Sequence, residues 1–200
     1  MKKKRALRIL SLILLCALTF TACKKNVGTP EDNAASKDEN TEEKDKDEQE
    51  DWKIGFSGID MENPYFLTLE SAIKEELDGK NCELIVKDPK TDPDMQASQI
   101  QKMIDEGINA IILSPVDWEK ITPSLEALKE ADVKIVNVDT QVKEMDYVDA
   151  YIGSDNYNAG VLCGEDLIKR CPDGGKVAIL ECPTQNSVNE RITGFEETLA

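Results

Sequence analysis

Between Lys53 and Ile152 the chain alternates short, continuously apolar runs with segments of helical periodicity, and this alternation restricts the fold more than any other feature. "KIGFSGI", "CELIVKD", "NAIILS", "VKIVNVD" and "VDAYIG" read as strands. The first intervening helix carries Phe66, Leu69, Ile73 and Leu77 on one face. The second carries Ala97, Ile100, Met103 and Ile104 and stops at Gly107; the third carries Leu125 and Leu128. The start of the third is open: Asp117 is one candidate cap, and Thr122 with Pro123 at the first helical position is the other. Strands that are apolar throughout, rather than every second residue, are buried on both faces. The expected class is therefore α/β, a parallel sheet with helices on both faces.

Each strand changes character at its carboxyl end. The first reaches Asp60 and "ENPYF", the second Lys87 and Asp88, the third Ser114 and then Asp117-Trp118, the fourth Asp139-Thr140. In open α/β sheets ligands bind beyond the carboxyl ends of the strands, so four ends repeating this change describe a polar binding edge. Taken singly, each residue also has a plain structural reading. Asn63 before Pro64 is a good helix cap, Phe66 has the register of a core residue, and Trp118 reads equally as rim packing or as a stacking platform. Asp139 is the most informative, because an acid closing a buried strand is costly unless something pairs with it.

Past Asp155 a helix runs to Lys169-Arg170, "CPDGG" turns, "KVAILECP" reads as a strand, and Val188, Ile192, Phe195 and Leu199 stand at helical spacing. One helix-strand-helix unit does not cover a sheet lobe. The expected organisation is a first α/β lobe over 52–154 and the start of a second, truncated lobe over 155–200. Ahead of these, residues 1–23 read as an export signal: basic residues, an apolar run from Ile9 to Phe20, and Thr21-Ala22 before Cys23, the expected site of lipidation. Phe20 stands where such signals more often have Leu. Residues 24–51, with eleven acids against three lysines between Glu31 and Trp52, read as an acidic disordered linker.

Several chemistries are disfavoured. A net charge of -16 opposes binding to nucleic acid, whose phosphates need a basic face. The chain has no histidine, hence no Ser-His-Asp triad and no histidine metal ligand. "GGK" at 174–176 follows a helix and reads as a turn rather than a phosphate loop. Asp88, Asp92 and Asp94 make a poor calcium loop, with Lys90 among them and no central glycine. Cys82, Cys163, Cys171 and Cys182 in an exported domain permit disulfides in three pairings or remain buried thiols. No catalytic residue, metal or cofactor is expected.

"NPYF", "DPKTDPDMQASQIQKMIDEGINAIILSPVD", "VNVDT", "YIGSDN" and "ERITGF" resemble, in order and spacing, the ribose-type periplasmic sugar-binding proteins, the substrate-binding components of ABC transporters. The LacI-type repressors share that fold but carry a DNA-binding helix-turn-helix where this chain has its export signal and linker. The resemblance implies a periplasmic-binding-protein type I fold, a monomer whose two lobes close on a sugar or polyol. It implies delivery of the ligand to an ABC transporter permease, and a protein exported and held at the membrane through a lipid on Cys23. A ligand sensor for a membrane receptor or histidine kinase is the alternative, and a surface hydrolase a third class. The implied ligand contacts are Asp60, Asn63, Tyr65, Phe66, Ser114, Trp118, Asp139, Thr140 and, from the second lobe, Arg191, with Ser154-Asp155 at the hinge. Two positions depart from the ribose binders: Ser114 replaces a common Asn, and Thr140 replaces an Arg.

Overall fold

The computed structural model describes residues 51–200. The expected export signal, Cys23 and the expected linker through Glu50 lie outside the described residues. Within them, β1 (Trp52–Ser57), β2 (Cys82–Lys87), β3 (Ala110–Leu113), β4 (Lys134–Val138) and β5 (Ala150–Ile152) form one sheet in the order β2-β1-β3-β4-β5. Every neighbouring pair is parallel. The chain reverses its direction of winding between β1 and β3, and a crevice opens at such a point beyond the strand ends.

The crossovers are α1 (Pro64–Leu77), α2 (Pro93–Asp105) and α3 (Thr122–Glu130), with a 3-10 turn at Met145–Tyr147 leading to β5. Side chains of β3 alternate between two cores. Ile111 and Leu113 pack with Ile100 and Met103 of α2 and Leu125 and Leu128 of α3. Ile112 packs with Phe56, Phe66 and Val116 on the α1 side. Helices therefore cover both faces, as the continuous apolar strands require.

Local signals set the boundaries. Asn63 Oδ1 accepts from the amide of Tyr65 at the start of α1, and Asp92 Oδ1 accepts from the amides of Asp94 and Met95 at the start of α2. Gly107, at φ 78°, lets the chain leave α2, a backbone geometry that favours glycine. Neither expected residue caps α3, which follows Ile121 without a side-chain cap. Asp117 instead closes the turn just before it, accepting from the amides of Glu119 and Lys120 at 3.1 and 3.0 Å.

After β5 come α4 (Asn156–Arg170) and α5 (Asn186–Leu199). They pack closely on each other. A Cβ at Gly194 would lie 2.1 Å from the Tyr157 carbonyl oxygen, and one at Gly160 would lie 2.0 Å from the Arg191 carbonyl oxygen. The segment "KVAILECP" is not a strand here. A strand exists through its ladder, no described strand runs beside this one, and Leu180 is 93% exposed. The four cysteines of the described residues are free thiols, with Cys163 and Cys171 exposed rather than buried. Cys163 flanks the buried Gly160–Gly164 stripe of α4 instead of lying on it.

Candidate functional site

Two buried side-chain amides shape the strand ends. Gln96, on α2, donates to Ser57 Oγ at 3.1 Å and to the Ser114 carbonyl at 3.0 Å, and accepts from the Val116 amide at 2.9 Å. It ties the ends of β1 and β3 together. Asn137, inside β4, donates to the carbonyls of Leu113 and Thr140 at 3.1 and 2.9 Å and accepts from the Val142 amide at 3.1 Å. It folds the chain leaving β4 back on itself beside β3. Both residues are fully buried, so each bond replaces one that water would otherwise make.

The turn organised by Asn137 presents Asp139. Its backbone is left-handed, φ 66°, an uncommon state for a residue with a side chain. β5 holds it there: the Asp139 amide donates to the Ile152 carbonyl at 3.0 Å, and the Tyr151 hydroxyl donates to the Asp139 carbonyl at 2.9 Å. Burial pushes the Asp139 carboxyl above its ordinary value, while the Arg191 guanidinium and the Ser114 hydroxyl act in the opposite direction. Ser114 is fully buried, and its hydroxyl is near enough to favour the ionised acid although it makes no bond of normal geometry.

Tyr65, 48% exposed, is near enough to feel this acid: burial and then the Asp139 charge raise its phenol. Burial also raises Tyr151, followed by the charges of Glu190 and Asp139. The structure thus brings Tyr65, Ser114, Asp139 and Arg191 together, and adds Tyr151 and Glu190. Such a group offers carboxylate acceptors, a guanidinium donor, hydroxyls of both kinds and aromatic faces for C–H surface.

Other sequence-predicted positions are engaged differently. Asp60 turns the chain into α1, its carboxylate accepting from the Glu62 amide at 2.9 Å. Asn63 caps that helix and is exposed. Phe66 is buried in the α1-side core, edge-on to Tyr65 with ring centroids 5.1 Å apart. It supports the Tyr65 ring from behind. Trp118 is half-buried, and its main chain bridges the two segments of the fold: its amide donates to the Thr184 carbonyl at 3.0 Å. Thr140 is fully buried, its hydroxyl 2.6 Å from that of Ser187 on α5. A cavity of about 620 Å³ lies among α4, α5 and Val177–Leu180, with Arg191 on its wall. The rest of its lining is mostly apolar, which suits a core surface more than a hydroxylated ligand.

Gln96, Asn137 and Tyr151 were not among the predicted site residues. A signal existed for two of them. Gln96 shares the helical register of Ile100 and Met103, and Asn137 interrupts an otherwise apolar strand, so each is a polar residue at a core position.

Residues 54–200 match the periplasmic binding protein domain family. The chain is 28% identical over 148 residues to the ribose import binding protein of Bacillus subtilis (strain 168), covering 74% of this chain and 48% of that one. It is 28% identical over 203 residues to the D-ribose/D-allose-binding protein of Pseudomonas aeruginosa, covering 96% of this chain and 60% of that one. Among solved structures, an ABC transporter solute binding protein from Mycobacterium smegmatis with bound glycerol superposes with a TM-score of 0.67 at 32% identity, over 74% of this chain and 52% of that chain. The chain spans about half the length of the curated relatives it matches.

Proposed function

Because this chain belongs to the periplasmic binding protein domain family, we propose that it binds a small hydroxylated ligand, a sugar foremost, between two closing α/β lobes and delivers it to an ABC permease. The observation that carries this reading is the setting of Asp139. A half-buried carboxylate closes an interior strand of the sheet, near enough to Ser114 and Arg191 to be held toward its ionised form and near enough to Tyr65 and Tyr151 to raise their phenols. Water solvates this acid poorly, and a vicinal diol supplies two donors that replace the missing solvation. The ring of Tyr65 covers the apolar face of the same ligand. Residues 52–154 act as the first lobe and residues from 155 onward as part of the second. Ligand contacts made to both at once shift the population toward closure. The names of the relatives, binders of ribose and of ribose or allose, support a pentose or hexose as the first class to try. The protein works outside the cytoplasmic membrane as a monomer, held there through a lipid on Cys23.

The test is calorimetric titration of the full-length protein with a panel of pentoses, hexoses and cyclitols. Asp139→Ala should weaken the best ligand by about 2–5 kcal/mol, since a charged acceptor is lost and two ligand hydroxyls stay unpaired. A folded Asp139→Ala variant that binds as tightly as the parent overturns the placement. No binding across the panel overturns the ligand class.

A further inference from the structure

Asp139 and Thr140 are consecutive at the exit of β4, while Ser187 and Arg191 are four residues apart on α5, one above the other on a helix face. One contact and one longer-range charge interaction run between these pairs. The hydroxyls of Thr140 and Ser187 are 2.6 Å apart and both residues are buried, whereas Arg191 is exposed and acts on Asp139 through its charge. A third link, from the Trp118 amide to the Thr184 carbonyl, joins the same two parts of the fold just ahead of α5.

We propose that the Thr140–Ser187 hydroxyl pair is a positioning device, setting the register of α5 against the first lobe so that Arg191 faces Asp139 before any ligand arrives. This rests on reading the two parts as closing lobes. A short bond between buried hydroxyls has one good geometry, and neither hydroxyl has water to exchange it for, so the bond fixes rotation and translation of α5. Arg191, one turn further along, has a long flexible side chain and could not set that register itself. At Thr140 this chain has a short side chain, which lets α5 approach the exit of β4. Preformed contact of this kind raises the fraction of binding-competent protein, and apparent affinity rises with it.

Amide hydrogen exchange on the full chain, with no sugar present, tests the proposal. In Ser187→Ala the Trp118 amide, which touches neither hydroxyl, should exchange faster on the order of tenfold, the size of one lost buried bond. The amides of β3 and β4 should keep the parent rates. Thr140→Val should behave like Ser187→Ala, which keeps the test alive if either variant folds poorly. Thr140→Ser retains the hydroxyl and should protect Trp118 like the parent. Parent-like exchange at Trp118 in both hydroxyl-deleted variants overturns the proposal. So does acceleration that extends equally through β3 and β4, because the pair would then serve only general stability. The readout needs no ligand, so a failed sugar panel and a failed clasp are separate results.

Discussion

The Tyr151 hydroxyl donates to the main-chain carbonyl of Asp139, and Gly153 leaves the room for it: a Cβ at Gly153 would lie 1.9 Å from Tyr151 Oη. The last strand thereby holds the candidate ligand acid by its backbone, in a left-handed conformation that costs energy on its own. Tyr151→Phe should lower unfolding stability by about 0.5–1.5 kcal/mol, the net worth of one such bond. Gly153→Ala should cost more, about 1–3 kcal/mol, because the phenol must be driven out of its place. Urea unfolding of both variants checks this; a Gly153→Ala protein as stable as the parent would show that β5 does not brace Asp139.

The two buried amides make a sharper contrast. Asn137→Leu has nearly the parent's shape but strands the Val142 amide and the carbonyls of Leu113 and Thr140. Gln96→Leu strands the Val116 amide and the Ser114 carbonyl. Each should cost at least about 2 kcal/mol, since every unpaired buried group adds a penalty of its own. Gln101, exposed on the same helix as Gln96, is the control: Gln101→Ala should stay within about 0.5 kcal/mol of the parent. Equal effects at Gln96 and Gln101 would contradict the stitching role.

The sheet was legible because burial on both faces leaves a direct trace, an unbroken apolar run such as Ala110–Leu113. The position of Asp139 was legible for a related reason, an acid ending such a run. Thr140 was not. Its neighbour in space is Ser187, forty-seven residues away, and nothing local says that α5 comes down on the β4 exit. Asp117 illustrates a smaller ambiguity: it is a cap, as its sequence setting suggests, but of a turn and not of the helix that follows. "KVAILECP" has strand composition, yet composition cannot supply the neighbouring strand that its ladder needs.

The α4–α5 contact depends on glycine in both helices. Gly194→Ala would push a methyl group into the Tyr157 carbonyl, and backbone cannot move aside as a side chain can. The helices should separate, opening the segment from 155 onward to protease while residues 52–154 stay resistant, and stability should fall by about 1–3 kcal/mol. Limited proteolysis followed by mass spectrometry reads the order of cleavage. Uniform resistance in the variant would contradict a close backbone contact there.

In the proposed reading, anchoring rests on the thiol at position 23. In cells, Cys23→Ser should move the exported protein from the membrane fraction to the soluble one, since the serine hydroxyl does not take the place of the thiolate in lipidation. Fractionation with an immunoblot is sufficient. Retention of the serine variant on membranes means that something other than a lipid on this residue holds the protein.

Asp139 also sets a pH dependence whose sign can be worked out. Burial raises its folded-state pKa above the ordinary 3.8, against the opposing pull of Arg191 and Ser114. A raised carboxyl binds its proton more firmly in the folded chain than in the unfolded one. Its contribution to stability is therefore present below 3.8 and is lost as pH rises through the folded value. At neutral pH the ionised acid is a cost to the empty protein, and a ligand that donates to it relieves that cost. Asp139→Asn removes the titration and keeps the shape. Asn also suits the left-handed backbone better, which adds an offset independent of pH. The discriminating measurement is thus the stability difference between variant and parent as a function of pH, by urea unfolding, in which all shared titrations cancel. That difference should grow in favour of Asp139→Asn from below pH 3.8 toward neutrality. In Arg191→Ala the carboxyl loses its cation and rises further, so the same growth, measured in that background, should extend to higher pH. A difference constant with pH would mean that Asp139 is hydrated in the folded protein and is not held in the half-buried setting on which its proposed role as a ligand acceptor depends.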